Sequence, residues 1–217
     1  MGVSAGIRKA LGVLVVMVLA SACAQAADPA TARALEAASG DTREVLRWVL
    51  SSGDAGGRPY AVVDKRDARI WVFDGAGRLV GTAPALLGQA TGDESAPGVG
   101  TRVASGIGVH ERTTPAGRFV SQPGHNDKGE AIVWVDYEAA VAIHRLRPAP
   151  AVERRPQRLA SASPADNRIS LGCVVVSVAF YEDVVAPTLG RSAGVVYVLP
   201  DTRSLQAVFG PLDAAAL

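Results

Sequence analysis

The chain has 217 residues and a formal net charge of +1, with 48% hydrophobic and 20% charged residues. Apart from an N-terminal signal, this length fits one domain of ordinary size. The near-zero net charge, without basic runs interleaved with aromatic residues, argues against nucleic acid as a partner.

The first residues are typical of an export signal. Two basic residues, Arg8 and Lys9, precede an apolar run over residues 10–20, and residues 24–26 (Ala-Gln-Ala) form the pattern that signal peptidase cuts. The run is too short to span a bilayer, which takes roughly 20 residues, and no later stretch is long enough. We therefore expect a periplasmic or secreted protein. In an alternative interpretation, the N-terminal segment is a lipoprotein signal and Cys23 carries a lipid anchor.

After the signal, the pattern predicts a helical extension and then many short strands. Residues 31–52 have helical spacing with a break at Ser39, and Asp41 or Thr42 is expected to cap the second helix. Residues 53–59 form a linker. Runs of β-branched or aromatic residues predict strands over residues 60–64, 69–73, 78–87, 117–121, 131–136, 141–144, 173–176 and 195–199.

Loops and short helices complete this pattern. A glycine-rich loop covers residues 88–100, and a polar, proline-containing segment covers residues 147–167. Loops of that length in a compact domain are usually functional or disordered. Helices are predicted over residues 178–185 and 202–209, the latter capped by Asp201. Many strands with few helices predict a mainly β fold, with a sandwich or barrel-like core.

The number of cysteines gives the strongest restriction on the kind of site that the chain can contain. Cys173 is the single cysteine of the mature chain, because Cys23 lies in the signal or carries lipid. Exported proteins meet an oxidising compartment where cysteines normally pair. An unpaired one is therefore a buried inert residue, an intermolecular link or a reactive thiol. One cysteine and three scattered histidines do not predict a structural zinc site, so no metal is expected.

A reactive Cys173 needs a base, because only the thiolate attacks. His144 is the best candidate, since it ends an apolar strand where a side chain emerges at the edge of a cleft. His110 and His125 lie in loops and are expected to face solvent. The residues thus predict a Cys–His acyl-transfer site.

Two neighbours of Cys173 extend this hypothesis. Gly172 permits a close approach, so that backbone N–H groups near Cys173 are candidates to face a developing oxyanion. Ser170 is a candidate hydrogen-bond partner of His144 or of the substrate. An alternative interpretation stays open, because Gly-Cys-Val-Val-Val also fits an ordinary buried strand and free cysteine is among the most buried residue types.

Three motifs in chain order resemble the catalytic domain of the L,D-transpeptidases of the YkuD type. They are Thr-Pro-Ala-Gly-Arg-Phe over residues 114–119, Ala-Ile-His ending at His144, and Ser-Leu-Gly-Cys ending at Cys173. The resemblance covers about residues 59–199. It implies Cys173 as nucleophile, His144 as its base, the stem peptides of peptidoglycan as partner, and no metal or organic cofactor.

The resemblance also implies a reaction and a domain organisation. The thiol attacks an L-to-D peptide bond, releases D-alanine, and passes the acyl group to an amine or to water. The chain then divides into a signal over residues 1–26, a helical extension and linker over 27–57, an L,D-transpeptidase-like catalytic domain of β-sandwich or barrel-like type over 58–200, and a C-terminal helix and tail over 201–217. We expect a monomer.

The sequence departs from the family pattern around the nucleophile. Leu171 replaces the second histidine of the family motif, Arg145 replaces a glycine, and Val175 stands where the family keeps arginine or asparagine. Because alternate residues of a strand share a face, Val175 is expected to lay an apolar surface in the cleft beside Cys173. The segment between His144 and Cys173 is also longer than in the family.

These departures leave two functions open. In the first, the protein is an active enzyme in which Arg145 or Arg168 replaces the missing substrate contact. For each arginine the alternative is an ion pair with Glu153 or Asp166. In the second, the protein is a degenerate family member that binds or scaffolds the cell wall without turnover. The intact pair of nucleophile and base favours the first.

Overall fold

The computed structural model describes Gly2 and residues 29–212. The predicted export signal with Cys23, and the last residues of the predicted C-terminal tail, lie outside the described residues. No helix among the described residues is long and apolar enough to cross a membrane.

Two helices form the predicted extension, α1 (Pro29–Glu36) and α2 (Gly40–Ser52). The cap of α2 is Ser39 rather than the predicted Asp41 or Thr42, because the Ser39 hydroxyl accepts a 3.0 Å hydrogen bond from the Thr42 backbone N–H. The buried face of α2, which includes Val45 and Val49, packs on one side of the sheet.

Ten strands follow, and eight of them form one sheet in the order β3-β2-β1-β10-β5-β6-β7-β9. Neighbouring strands are antiparallel except for the parallel pairs β1–β10 and β7–β9. The two remaining strands, β4 and β8, form a small parallel pair. The predicted mainly β fold is confirmed. The strands are β1 (Tyr60–Asp64), β2 (Arg69–Phe73), β3 (Leu79–Pro84), β4 (Leu87–Gly88), β5 (Gly117–His125), β6 (Ala131–Asp136), β7 (Val141–Arg145), β8 (Arg168–Ser170), β9 (Val174–Val176) and β10 (Gly194–Val198).

Both faces of the central strands are buried, which explains their continuous apolar runs. In β1, Tyr60 and Val62 face the α2 side, whereas Ala61 and Val63 face the opposite core. A helical segment made of α4 (Val178–Phe180), the π-helical turn Tyr181–Val185 and α5 (Ala186–Thr188) packs on that opposite core. This segment runs beyond the predicted helix over residues 178–185.

The structure corrects the prediction for the closing helix. Helix α6 spans Leu205–Phe209, and its cap is Ser204, whose hydroxyl accepts a 3.1 Å hydrogen bond from the Ala207 N–H. The carboxylate of Asp201 is instead 2.7 Å from the guanidinium of Arg168. The predicted Asp201 cap is therefore wrong, because a long-range ion pair holds that side chain.

The long segment over residues 147–167 has structure of its own. It contains the short helix α3 (Arg155–Leu159) between two 3-10 turns, Ala151–Glu153 and Pro164–Asn167. Leu159 of α3 is buried against Leu86 and Val175. The segment is therefore packed on the end of the sheet that carries β7 and β9.

Candidate active site

The pairing of β7 with β9 places the predicted nucleophile and base on one face of the sheet. His144 lies opposite Val175 in this parallel pair, and paired residues point their side chains to the same face. Cys173 precedes β9 by one residue and packs in the same cluster as Val175. The thiol and the imidazole are therefore on the same side of adjacent strands.

Cys173 is partly buried and lines a small cleft. Its thiol donates a 3.6 Å hydrogen bond to the Ala140 carbonyl. The cleft has a volume of about 160 Å³, and its lining is largely apolar, with contributions from Val99, Ile107 and Leu171.

The surroundings of Cys173 act on its acidity in opposite directions. Burial raises the pKa of the thiol, whereas a backbone hydrogen bond from Ala142 and the positive charges of Arg147 and Arg155 lower it, with a net rise. The resting group is therefore a thiol at neutral pH, and a base must remove its proton before it attacks.

His144 is the candidate for that base. Its Nδ1 lies 2.8 Å from the Arg145 carbonyl oxygen, and since a carbonyl only accepts, Nδ1 carries the proton and Nε2 is the basic nitrogen. The imidazole is buried, and burial lowers its pKa to about 4, with a further lowering by Arg147 and Arg155. The ring is therefore neutral near pH 7.

The turn before Cys173 is held by Ser170. Its hydroxyl donates a 2.7 Å hydrogen bond to the Cys173 carbonyl and accepts a 3.1 Å hydrogen bond from the Gly172 N–H. Ser170 was predicted to contact His144 or the substrate. Both bonds lie within its own turn, so its hydroxyl shapes the turn, and the Gly172 N–H is not free to face an oxyanion in this arrangement.

Only glycine fits at position 172. Its φ is 140°, and an added Cβ would lie 2.7 Å from the carbonyl oxygen of Thr113. The Thr114 hydroxyl accepts a 2.8 Å hydrogen bond from the Gly88 N–H and donates a 2.8 Å hydrogen bond to the Gly172 carbonyl. This buried clamp joins the first sequence motif to the third, a link that the sequence analysis missed because the hydroxyl acts across 58 residues.

The expectation for Val175 is corrected by its burial. Val175 shares the face of Cys173, but Leu86 and Leu159 cover it and its side chain is 1% exposed. Its backbone also exchanges hydrogen bonds of 2.9 and 2.7 Å with Leu86. Val175 therefore belongs to a small core beneath the site and offers no surface to the cleft.

The two arginines predicted to contact substrate have other partners. The Arg168 guanidinium grips Asp201 with bonds of 3.1 and 2.7 Å and donates a 2.8 Å bond to the Lys65 carbonyl. Arg145, adjacent to His144 on β7, points to the opposite face and lies 3.5 Å from Glu130.

Both arginines therefore form ion pairs, as the alternative interpretation expected. The predicted partners, Glu153 and Asp166, are wrong, because Arg168 pairs with Asp201 and Arg145 with Glu130 and, at 3.9 Å, with Glu182.

A buried ionic network surrounds Arg168. Lys65 is fully buried, and its Nζ lies 2.9 Å from Asp93 and 3.5 Å from Asp201. Burial alone would raise the pKa of Asp93, but hydrogen bonds from Thr202 and Lys65 hold it well below its ordinary range. The network joins the loop after β4 to the segment after β10, and its bonds account for the positions of both carboxylates.

Two arginines that the sequence analysis did not select act electrostatically on Cys173 and His144. Arg147 and Arg155 come from the long segment after β7, and the charges of both lower the pKa values of Cys173 and His144. The Nε of Arg147 is 2.8 Å from Glu130, and the Nε of Arg155 is 2.5 Å from Glu153. The sequence feature that could have identified these two residues is the group of arginines shortly after His144.

The other histidines lie apart from this arrangement. His110 and His125 are exposed, as the sequence analysis expected, but His125 ends strand β5 and does not lie in a loop. Among residues 29–212, no three His, Cys, Asp or Glu side chains gather closely enough to hold a metal ion. The described site thus offers a thiol and a neutral imidazole on the same face of adjacent strands.

Comparisons with known proteins give matches in structure only. The sequence matches no protein-family model, and no curated protein matches it significantly. An L,D-transpeptidase from Mycobacterium smegmatis matches with 18% identity and a TM-score of 0.38, over 65% of this chain and 58% of its own. The catalytic domain of an Enterococcus faecium L,D-transpeptidase matches with 17% identity and a TM-score of 0.37, over 66% of this chain and 98% of its own.

A third match is the helical cell shape determining protein Pgp2 from Campylobacter jejuni, with 13% identity and a TM-score of 0.43, over 76% of this chain and 58% of that one. The chain spans between 48% and 58% of the length of the first solved structures that it matches. At TM-scores below 0.5, we draw no conclusion about activity from these matches. The solved structures that match include L,D-transpeptidases, the family that the three sequence motifs resemble.

Proposed function

We propose that the protein is a cysteine acyltransferase that acts on the stem peptides of peptidoglycan. One observation carries the proposal. Cys173 and His144 lie on the same face of adjacent strands, with the imidazole neutral and its Nδ1–H bonded to the Arg145 carbonyl. Thiol-dependent acyl transfer uses such a pair, a thiol as nucleophile and a neutral imidazole as its base. The three motifs support the choice of wall peptides as substrate.

In the proposed reaction, Nε2 of His144 removes the thiol proton and the Cys173 sulfur attacks the carbonyl carbon of an L-to-D peptide bond. The tetrahedral intermediate collapses to a thioester, and the imidazolium returns the proton to the leaving nitrogen, which departs as D-alanine. An amine or water then attacks the thioester and regenerates the thiol. Fixing Nδ1 keeps the basic nitrogen turned away from the Arg145 carbonyl throughout the cycle.

The proposal includes a location outside the cytoplasm. Residues 1–26 have the pattern of an export signal, and Cys23 offers the alternative of a lipid anchor. Peptidoglycan lies on that side of the membrane, so export and substrate agree. The acyl acceptor is another stem peptide, a protein or water, and these outcomes share the same thioester.

The experiment follows the thioester and its product. The purified protein is incubated with a disaccharide-tetrapeptide, and mass spectrometry follows both the protein and released D-alanine. We expect an acyl adduct on Cys173 and release of D-alanine. Cys173→Ala should show neither, and His144→Ala should slow acylation by about a hundredfold or more, as loss of a general base does. His110→Ala, which removes an exposed histidine, is the matched control.

A second candidate is a protein that binds the wall without turnover. The raised pKa of the Cys173 thiol favours it, because a resting thiol attacks slowly. This candidate is the better one if the protein forms no acyl adduct under conditions where it sediments with purified sacculi, and if Cys173→Ala sediments equally well.

A further inference from the structure

An arginine-lined groove lies on the segment that follows β7. Its volume is about 290 Å³, and residues of the segment over 147–157 line it. Three guanidinium groups belong to this lining, those of Arg147, Arg154 and Arg155, and the remaining lining includes Pro148 and Pro150. We refer to this feature as the arginine groove.

The arginine groove is electrostatically coupled to the catalytic pair. The charges of Arg147 and Arg155 act on both Cys173 and His144. Coulomb interactions in a protein weaken with distance and with exposure to water. The packing agrees with this coupling, because Leu146 and Leu159, which flank the groove residues in the sequence, pack in the same cluster as Cys173 and Val175. The segment that carries the arginine groove therefore lies against the candidate site.

Two glutamates hold these arginines without covering them. Glu130 contacts the Nε of Arg147 at 2.8 Å, and Glu153 contacts the Nε of Arg155 at 2.5 Å. Among the described residues, the Nη nitrogens of these two arginines make no hydrogen bond. Both side chains keep partial exposure, 32% and 22%. Each of these two arginine side chains is thus positioned by a glutamate and remains partly exposed.

The charge balance of the arginine groove favours an anion. Its three arginines contribute +3 and the two glutamates contribute −2, so the balance is +1 before a ligand enters. Arg145 and Arg168 do not line the groove: Arg145 shares Glu130 with Arg147, at 3.5 Å, and Arg168 is bonded to Asp201.

We infer that the arginine groove binds a carboxylate of the wall peptide, with Arg147 and Arg155 as the residues that determine this specificity. The planar guanidinium suits the task, since it offers two parallel N–H groups to the two oxygens of a carboxylate. The segment after β7, with Val175 buried beneath it, then supplies the substrate contact that the valine cannot make. This inference rests on the proposed function, because it assumes that the ligand is a wall peptide.

The test measures binding without turnover. Isothermal titration calorimetry is performed on the full chain carrying Cys173→Ala, with the tetrapeptide L-Ala-γ-D-Glu-L-Lys-D-Ala as probe. Two further probes replace one carboxylate each by an amide, either at the terminal D-alanine or at the α-carboxylate of D-glutamate. These probes identify which of the two carboxylates is recognised.

We expect Arg147→Gln and Arg155→Gln each to weaken binding of the parent peptide by about tenfold, which corresponds to roughly 1.4 kcal/mol. One amide probe should bind to Cys173→Ala about tenfold more weakly than the parent, and the arginine variants should not weaken its binding further. Arg78→Gln removes the same charge from a guanidinium that is 81% exposed in the β2–β3 turn, and it should bind as the parent protein does.

Three results would overturn the inference: equal binding of all three peptides to Cys173→Ala, equal loss of all three in the arginine variants, or unchanged binding in those variants. Failure of the proposed function has a different signature. If arginine-dependent binding of the carboxylate is found but the wild-type protein forms no thioester, only the catalytic proposal fails. If the thioester forms without arginine-dependent binding, only this inference fails.

Discussion

The hydroxyl of Thr114 donates a 2.8 Å hydrogen bond to the carbonyl oxygen of Gly172 and accepts one of 2.8 Å from the Gly88 N–H. The side chain of Thr114 is fully buried. One hydroxyl therefore connects the entrance to β5, the small strand β4 and the turn that carries Cys173.

Thr114→Val keeps the shape of this side chain and removes both hydrogen bonds. Each buried polar group left unsatisfied costs about 1–3 kcal/mol, so we expect a clear loss in the free energy of unfolding, measured with urea. The acylation rate of Cys173 should fall as well, because its turn is no longer anchored. Thr114→Ser retains the hydroxyl and should restore most of both quantities. Equal behaviour of the two variants would show that the clamp has no role.

His144 predicts a dependence of stability on pH. Its pKa is about 4 in the folded protein against an ordinary value of 6.5, mainly because it is buried. Between these values the unfolded chain binds a proton that the folded protein does not, so the free energy of unfolding decreases as the pH falls from about 6.5 to about 4. The full loss is roughly 3 kcal/mol.

Comparison with His144→Gln isolates this effect, since glutamine does not titrate and carboxylates titrate in both proteins. We expect the two curves of unfolding free energy against pH to diverge over that interval and to run parallel above pH 7. Parallel curves throughout would mean that the histidine is not held neutral by its surroundings.

We expect substitution of Arg168 to lower the stability of the protein without changing its activity. The bidentate bond of Arg168 holds Asp201, whose side chain is 3% exposed, and removal of one partner of a buried pair costs about 3–5 kcal/mol. Arg168→Met should therefore lower the free energy of unfolding by an amount of that order. Because Arg168 lies outside the catalytic pair and the arginine groove, acylation per folded molecule should stay unchanged.

Arg78→Met provides the comparison, since it breaks an ion pair whose arginine is 81% exposed. Such pairs contribute less than about 1 kcal/mol. A folded Arg168→Met protein that fails to form the thioester would contradict the placement of this arginine and revive its predicted role as a substrate contact.

Gly172 predicts a strict requirement for glycine. In Gly172→Ala the new Cβ meets the Thr113 carbonyl at 2.7 Å, and φ is 140°. Such strained backbone positions cost about 1–3 kcal/mol. We expect lower resistance to urea and slower acylation of Cys173. Gly40→Ala is the control, because open space surrounds that position and its φ is not positive, and it should leave both quantities nearly unchanged.

The amino-acid sequence by itself determined the bounds of several strands and supplied the hypothesis for the reacting groups. Strands β1, β2 and β6 were predicted with the observed bounds, because apolar, β-branched runs between turn residues are local patterns. The proposal of Cys173 with His144 also came from sequence, since one cysteine and three histidines leave few pairs that catalysis can use.

Only the tertiary structure decided which charged residues face the site. Arg168 meets Asp201 across 33 residues, and the Lys65 carbonyl across 103, contacts for which local sequence carries no signal. Because Asp201 is bonded to Arg168, it does not form the predicted cap of α6. Strand alternation placed Val175 on the face of the cleft, but alternation does not predict which side chains cover a residue. In the structure, Leu86 and Leu159 cover Val175. Local periodicity follows from backbone geometry, whereas ion pairs and coverage depend on how distant segments pack.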